Sequence, residues 1–183
     1  MFYESHFKSE FNFSHKMRRL FWRLVYIFFF RFSPLPFSFW RSFLLRLFGA
    51  HIGSKVLIYP SVQIWAPWNL FIGDRSVIGP NVTLYNVDKI EIAEDVTVSQ
   101  NSHLCTASHN IESTFRELQH APIVIKKGAW IFADAFLSMG VCIGEGAIVG
   151  ARSVVAKSVE AQNVVVGNPA VVIKRRQLDW RKE

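Results

Sequence analysis

The sequence predicts a parallel β-helix from Ile52 to about Val172, preceded by an aromatic-rich helical segment. Three observations carry this. Aliphatic residues recur every six positions, small or β-branched residues recur in a second register four places later, and the composition changes abruptly near Gly49 and Ala50.

The N-terminal segment, residues 1–50, holds most of the aromatics. Leu20 to Phe32 reads LFWRLVYIFFFRF, and its uncharged run between Arg23 and Arg31 is seven residues long. That is far short of the roughly 20 residues that span a bilayer. The stretch Ser33-Pro34-Leu35-Pro36 breaks the chain, because proline cannot continue a helix. Phe39 to Phe48 then resumes as a helix with Arg41 and Arg46 among Trp, Phe and Leu. Basic residues among large aromatics suit the bilayer interface, so residues 20–48 are expected to make peripheral membrane contact. The same helices also suit the open end of a solenoid, which needs covering, and the two roles are compatible.

The repeat array occupies residues 51–173. Ile52, Ile58 and Ile64 are six apart; Ile72, Ile78 and Leu84 follow after a two-residue slip, and Ile92, Val98 and Leu104 after another. Ile125, Ile131, Leu137, Ile143, Val149 and Val155 then run unbroken. Four places after these stand mostly small or β-branched residues such as Val62, Ser76, Val96, Ala129 and Ala147; Trp68 and Asp88 are the exceptions, each just before a slip. A six-residue period is a short strand plus a corner, and three such units close a triangular coil of about eighteen residues, so about five to six coils fit. The aliphatic points into the prism, the small residue sits where a corner leaves little room, and the glycine that often follows the aliphatic is expected to take the unusual corner angles. An antiparallel sandwich gives period two and irregular turn spacing instead.

The register breaks once at length, from Ala107 to Pro122. Insertions in a solenoid leave from a corner and lie outside it, often over the binding face. This one begins beside His109, which is flanked by Ser108 and Asn110. An imidazole titrates near about 6.5 and can accept a proton at neutral pH, so His109 is the candidate base; a corner-capping role is the alternative. His103 lies one hexad earlier on a different face, and no third ring is placed to complete a zinc site, so no metal is expected. Cys105 lacks an adjacent base that would make it a nucleophile, and Cys142 reads as core or corner filling.

The 183 residues fit one domain with an added segment, and the net charge of +7 favours anionic partners. The basic residues are dispersed and no reader motif appears, so nucleic-acid binding is not expected. The start lacks the pattern of a cleaved signal peptide. Two cysteines make no disulfide framework, so a cytoplasmic location is expected, with peripheral contact on the inner face of the cytoplasmic membrane. Residues 174–183 read as a basic tail.

The motifs TASHN (106–110), GAWI (128–131), IGEGAIVGARSVV (143–155) and GNPAVVIK (167–174), with FLLRLFGA (43–50) and YPSVQIWAPWNL (59–70), resemble the hexapeptide-repeat O-acetyltransferases, most of all the colanic acid biosynthesis acetyltransferases. The resemblance covers roughly residues 20–176. It implies a left-handed β-helix and a homotrimer with active sites between subunits. It also implies acetyl-CoA as donor, a sugar or lipid-linked oligosaccharide as acceptor, and His109 as general base in a ternary complex. Trp130, Ala133, Ala151, Ala156 and Lys157 match donor-channel positions, and Lys174 matches a contact to the CoA phosphates. Asn81 and Asn86, in the coil before His109, and Asn110 beside it are the candidates to orient the acceptor. Where the family often has Asp after the base, this chain has Asn110, which cannot raise imidazole basicity by charge. A usual Thr is Ala156, a basic residue of relatives is Val171, and an asparagine assigned to oxyanion support is Gly79. The expected activity is O-acetylation of a sugar in surface polysaccharide synthesis. N-acylation of an amino sugar and a non-catalytic trimeric scaffold at the membrane surface are the alternatives.

Overall fold

The computed structural model describes residues 11–177; His6 and the end of the basic tail lie outside them. Helix α1 (Phe13–Val25) starts at Asn12, whose side chain accepts from the His15 N–H at 2.9 Å, satisfying one of the free amides of the first turn. It runs into a single π turn, Tyr26–Phe30. After the proline break, α2 (Ser38–Leu47) follows. No helix among the described residues is long and apolar enough to cross a membrane.

The solenoid then winds through short strands. The first coil holds β1 (His51–Ile52), β2 (Leu57–Ile58) and β3 (Gln63–Ile64); the second β4 (Leu70–Ile72), β5 (Val77–Ile78) and β6 (Thr83–Tyr85); the third β7 (Ile90–Ile92), β8 (Thr97–Val98) and β9 (His103–Cys105). The insert contributes β10 (Ala107–His109) and β11 (Leu118–His120). The fourth coil holds β12 (Ile123–Ile125), β13 (Trp130–Ile131) and β14 (Phe136–Leu137), and the fifth β15 (Cys142–Ile143), β16 (Ile148–Val149) and β17 (Val154–Val155). β18 (Asn163–Val166) and β19 (Val171–Arg175) close the far end as an antiparallel pair.

Three parallel sheets result: β1-β4-β7-β12-β15, then β2-β5-β8-β13-β16-β18 with β19 added, and β3-β6-β9-β14-β17. Pairing sets like on like. Ile52 stands on Ile72, Ile72 on Ile92, Ile92 on Ile125 and Ile125 on Ile143. Every six-spaced aliphatic is buried, and so are nearly all residues of the second register. The exceptions are Trp68 and Asp88, which are half-buried, and Ser108, which the insert carries out of the coil to an exposed position.

The glycines do a different job from the one expected of them. Positive φ falls three residues after the aliphatic, on Lys55, Arg75, Asp95, Gly128 and Gly146 along one edge and on Asn81, Asn101, Asp134 and Arg152 along the next. The glycine directly after the aliphatic is needed because the next coil passes close by. A Cβ on Gly73 would stand 2.5 Å from the Glu94 backbone nitrogen.

The helices cap the first coil. Trp22 is buried and donates through Nε1 to the Ile64 carbonyl at 2.7 Å, and Phe30, Leu44 and Leu45 join the core. Arg18 lies over the Trp68 ring at 4.2 Å and Arg19 over the Trp65 ring at 3.9 Å, which gives Trp68 a reason to break the small-residue register. Arg41 is not among the interfacial charges the sequence suggested. Arg41 is fully buried, with hydrogen bonds to the carbonyls of Ile58, Pro34 and Leu35 and to Ser33 Oγ. Arg46 donates to the carbonyls of Ile52 and Gly53. Both fasten α2 to the solenoid; for Arg41 the reason is that a buried guanidinium needs its donors satisfied, while Arg46 stays exposed.

Candidate active site

The insert is an antiparallel ribbon. Ala107 pairs with His120, Ser108 with Gln119 and His109 with Leu118. Cross-strand partners share a face and alternate residues return to it, so Ala107, His109, Leu118 and His120 line one side. The ribbon springs from the edge where the third sheet turns toward the first.

His109 is exposed, and its Nδ1 lies 2.7 Å from the Arg116 carbonyl oxygen. A carbonyl only accepts, so this contact assigns the proton to Nδ1 and leaves the lone pair on Nε2. Arg116 reaches this place with φ +50° at the ribbon's turn. Asn110 completes the turn: its N–H donates to the Glu117 carbonyl at 2.9 Å and its Oδ1 accepts from the Glu112 N–H at 3.1 Å.

The ribbon is pinned to the coil beneath it. His120 Nδ1 is 2.7 Å from Asp88 Oδ2. Asp88 Oδ1 accepts from the Lys89 N–H, and the Asp88 N–H donates to Thr106 Oγ1 at 2.9 Å. Burial presses the Asp88 carboxyl upward, but the His120 hydrogen bond, the Lys89 amide and the charges of both neighbours outweigh it and hold it below the usual carboxylate value. This pin and the Arg116 carbonyl were not foreseen from the sequence. The one signal was that Asp88 breaks the small-residue register.

The acceptor candidates separate. Asn86 is fully buried; its Oδ1 accepts from the N–H groups of Trp65 and Ala66, and its Nδ2 donates to the Ala66 carbonyl. It staples one coil to the next and has no polar atom left for a substrate, so the substrate-binding expectation for Asn86 is corrected. Asn81 sits on the edge between the second and third sheets, in a polar row with Ser61 and Asn101. Within one chain it is not brought to His109, which leaves from another edge.

The donor candidates also fall on two edges. Ala133 and Ala151 occupy the edge between the second and third sheets, one coil apart. Ala156 and Lys157, both exposed, follow β17 on the edge that carries the ribbon. Trp130, 45% exposed, donates to Ser99 Oγ at 3.1 Å. It shares one register row with Ile148, Val164 and Lys174, so Trp130 and the exposed Lys174 lie in line across the second sheet.

Cys105 is half-buried and donates through Sγ to the Ala107 carbonyl. Burial lowers His103 below the ordinary imidazole value, and its Nε2 has no partner. Among the described residues no group of three His, Cys, Asp or Glu side chains could hold a metal ion.

The chain is thus a three-sheet solenoid built on six-residue repeats, with a side ribbon that carries two histidines: His109, its ring fixed at Nδ1 by a carbonyl, and His120, pinned to Asp88. No protein-family model matches the chain. It is 47% identical over 155 residues to the Escherichia coli K12 protein named as colanic acid biosynthesis acetyltransferase WcaF, covering 85% of each chain. It is 27% identical over 137 residues to the galactoside O-acetyltransferase of the same organism, covering 73% of this chain and 68% of that one. A hexapeptide-repeat acetyltransferase of Vibrio cholerae O1 biovar eltor, solved with acetyl coenzyme A, superposes with a TM-score of 0.82 at 26% identity over 90% of each chain. This chain belongs to the hexapeptide-repeat acetyltransferases.

Proposed function

We propose that this enzyme transfers acetyl from acetyl-CoA to a sugar hydroxyl during synthesis of a surface polysaccharide, with His109 as the general base. The observation that carries the reading is the His109 Nδ1 contact with the Arg116 carbonyl. It leaves Nε2 free to take the hydroxyl proton as the oxygen attacks the thioester carbonyl. The tetrahedral intermediate then expels the CoA thiolate, which recovers a proton from the imidazolium and leaves as the thiol. A backbone N–H facing the developing oxyanion lowers the barrier further. Because a backbone carbonyl orients the ring, the charge of an Asp after the base is not needed for the tautomer.

The relatives support the substrates. WcaF is named for colanic acid synthesis and its galactoside counterpart for O-acetylation, and the Vibrio protein holds acetyl coenzyme A. The row from Trp130 to Lys174 offers an aromatic surface and a cation to such a donor, and the small Ala133, Ala151 and Ala156 leave room for pantetheine. Those alanines lie on two edges of the prism, which fits a channel walled by two chains and so a homotrimer. The outer face of the N-terminal helices exposes Phe28, Phe32 and Phe39 at 66%, 75% and 70%. Exposed aromatics of that kind favour a partner or a bilayer surface, in keeping with a lipid-linked acceptor.

Incubation with acetyl-CoA and candidate oligosaccharides, followed as free thiol, tests the activity. Thiol release that persists in His109→Ala sinks the base assignment, and an acetyl group found on nitrogen sinks O-acetylation.

A further inference from the structure

At the capped end of the solenoid, far along the coil stack from Trp130 and Lys174, α1 and the third sheet enclose a cavity of about 490 Å³. Arg19, Arg23 and Arg31 line it with Tyr26, Trp65 and Tyr85, and its lining contains no carboxylate. None of the three guanidinium groups pairs with an acid among the described residues. Arg19 lies on the Trp65 ring instead. Burial lowers the Arg19 guanidinium below its ordinary value, Tyr85 works against the fall, and the Arg23 charge adds to it. Arg19 is half-buried while Arg23 and Arg31 are exposed, so the three like charges raise a local positive potential that attracts an anion.

The neighbouring surface says what kind of anion. Arg19, Arg23 and Tyr26 follow helical spacing on one face, and Leu20, Leu24, Ile27 and Phe28 follow the same spacing one residue on. Leu20, Leu24, Ile27 and Phe28 are exposed, as are Phe29 and Phe32. The cations therefore rim an apolar face. A free phosphate needs only the cations; a phospholipid headgroup with its acyl chains matches both parts. Arginine forks suit phosphate oxygens.

We propose that this cavity binds the phosphate headgroup of a membrane lipid and so seats the enzyme on anionic membrane. The inference rests on the membrane-surface reading above and adds a defined phosphate site to it. Tyr85 in the cavity wall pairs with Cys105 of β9, the strand that leads into the His109 ribbon, so a headgroup held here lies on the sheet that feeds the candidate active site.

Co-sedimentation with phosphatidylcholine vesicles, with and without phosphatidic acid, tests this on the full chain. The native protein is expected to favour the phosphatidic acid vesicles. Arg23→Gln with Arg31→Gln is expected to weaken that binding about tenfold or more, since each arginine near an anionic surface contributes about 1 kcal/mol. Lys126→Gln with Lys127→Gln removes the same charge from a solenoid edge and is expected to keep the preference. Phe28→Ser with Phe32→Ser is expected to weaken binding to both vesicles alike. An arginine variant that keeps the preference overturns the site, as does a lysine variant that loses it equally. Native protein that binds soluble pyrophosphate through the same arginines yet shows no preference for phosphatidic acid vesicles assigns the cavity to a free anion and also overturns the proposal. Native protein that binds neither vesicle ends the membrane reading itself, a result distinct from vesicle binding indifferent to the arginines.

Discussion

At His109 one backbone carbonyl decides which ring nitrogen carries the proton. The Arg116 oxygen at 2.7 Å holds Nδ1–H and frees Nε2, so His109→Ala is expected to lower turnover by about 10²- to 10⁴-fold. The ring is exposed and supports no packing, so the melting temperature should stay put; a large fall in stability would count against a purely chemical role. Asn86 is the opposite case. Its side chain is buried and fully hydrogen-bonded between coils. Asn86→Ala should cost about 1–3 kcal/mol in denaturant titration by leaving partners unsatisfied, with the KM for acceptor unchanged in whatever protein folds. Asp88 adds a pH signature. Its carboxyl is held below the usual value in the folded state. Its contribution to the ribbon is therefore complete above the unfolded carboxylate range, near about 4, and is lost as pH falls through the lowered folded value. Amide exchange in residues 107–120 should accelerate on acidification through that range, and Asp88→Asn should flatten the acceleration.

Among the elements, the cap and the close-approach glycines each answer a constraint of the solenoid. The cap covers apolar edges that the first coil otherwise leaves to water. Trp22 is 3% exposed and ties α1 to β3 through Ile64, so Trp22→Ala should cost about 3–5 kcal/mol. Gly73 has no room for a methyl group, since the Glu94 amide nitrogen lies 2.5 Å from where its Cβ would stand. Gly73→Ala should destabilise by about 1–3 kcal/mol by forcing the coils apart, and an unaltered melting temperature would refute the close-approach account. The ribbon β10–β11 was expected only as an insertion. Its pairing depends on Ala107–His109 and Leu118–His120 meeting across an eight-residue turn, and no periodic signal marks such short strands.

In the whole molecule, edges matter more than faces. The ribbon and Ala156-Lys157 share one edge, while Ala133 and Ala151 lie on another. A donor channel that uses both needs a second chain. Co-assembly of His109→Ala chains with Ala151→Trp chains should therefore regain part of the activity each lacks alone. Failure to regain any, with mixed trimers present, would place each site within a single chain. The basic balance of +7 is likewise organised only in three dimensions. Arg41 and Arg46 are spent on carbonyls of the first coil, and Arg19, Arg23 and Arg31 gather around one cavity.

Much of this was legible in the linear chain because a period of six is a local property. Each aliphatic that stands on its counterpart one coil along is already spaced to do so, and the prolines after Phe32 end one helix before another begins. His109, the candidate base, was singled out because it stands where the period stops. What the chain alone determined, then, is the solenoid, its capped end and the position of its one long interruption. Only the tertiary structure decided what each polar residue near the site can do, because those roles depend on partners in other turns and coils and on which edge of the prism each corner reaches. Asn86 was claimed by Trp65 and Ala66, and the His109 ring by a carbonyl that carries no residue-type signal. The glycines were claimed by the backbone of the next coil, whose approach the local sequence does not encode.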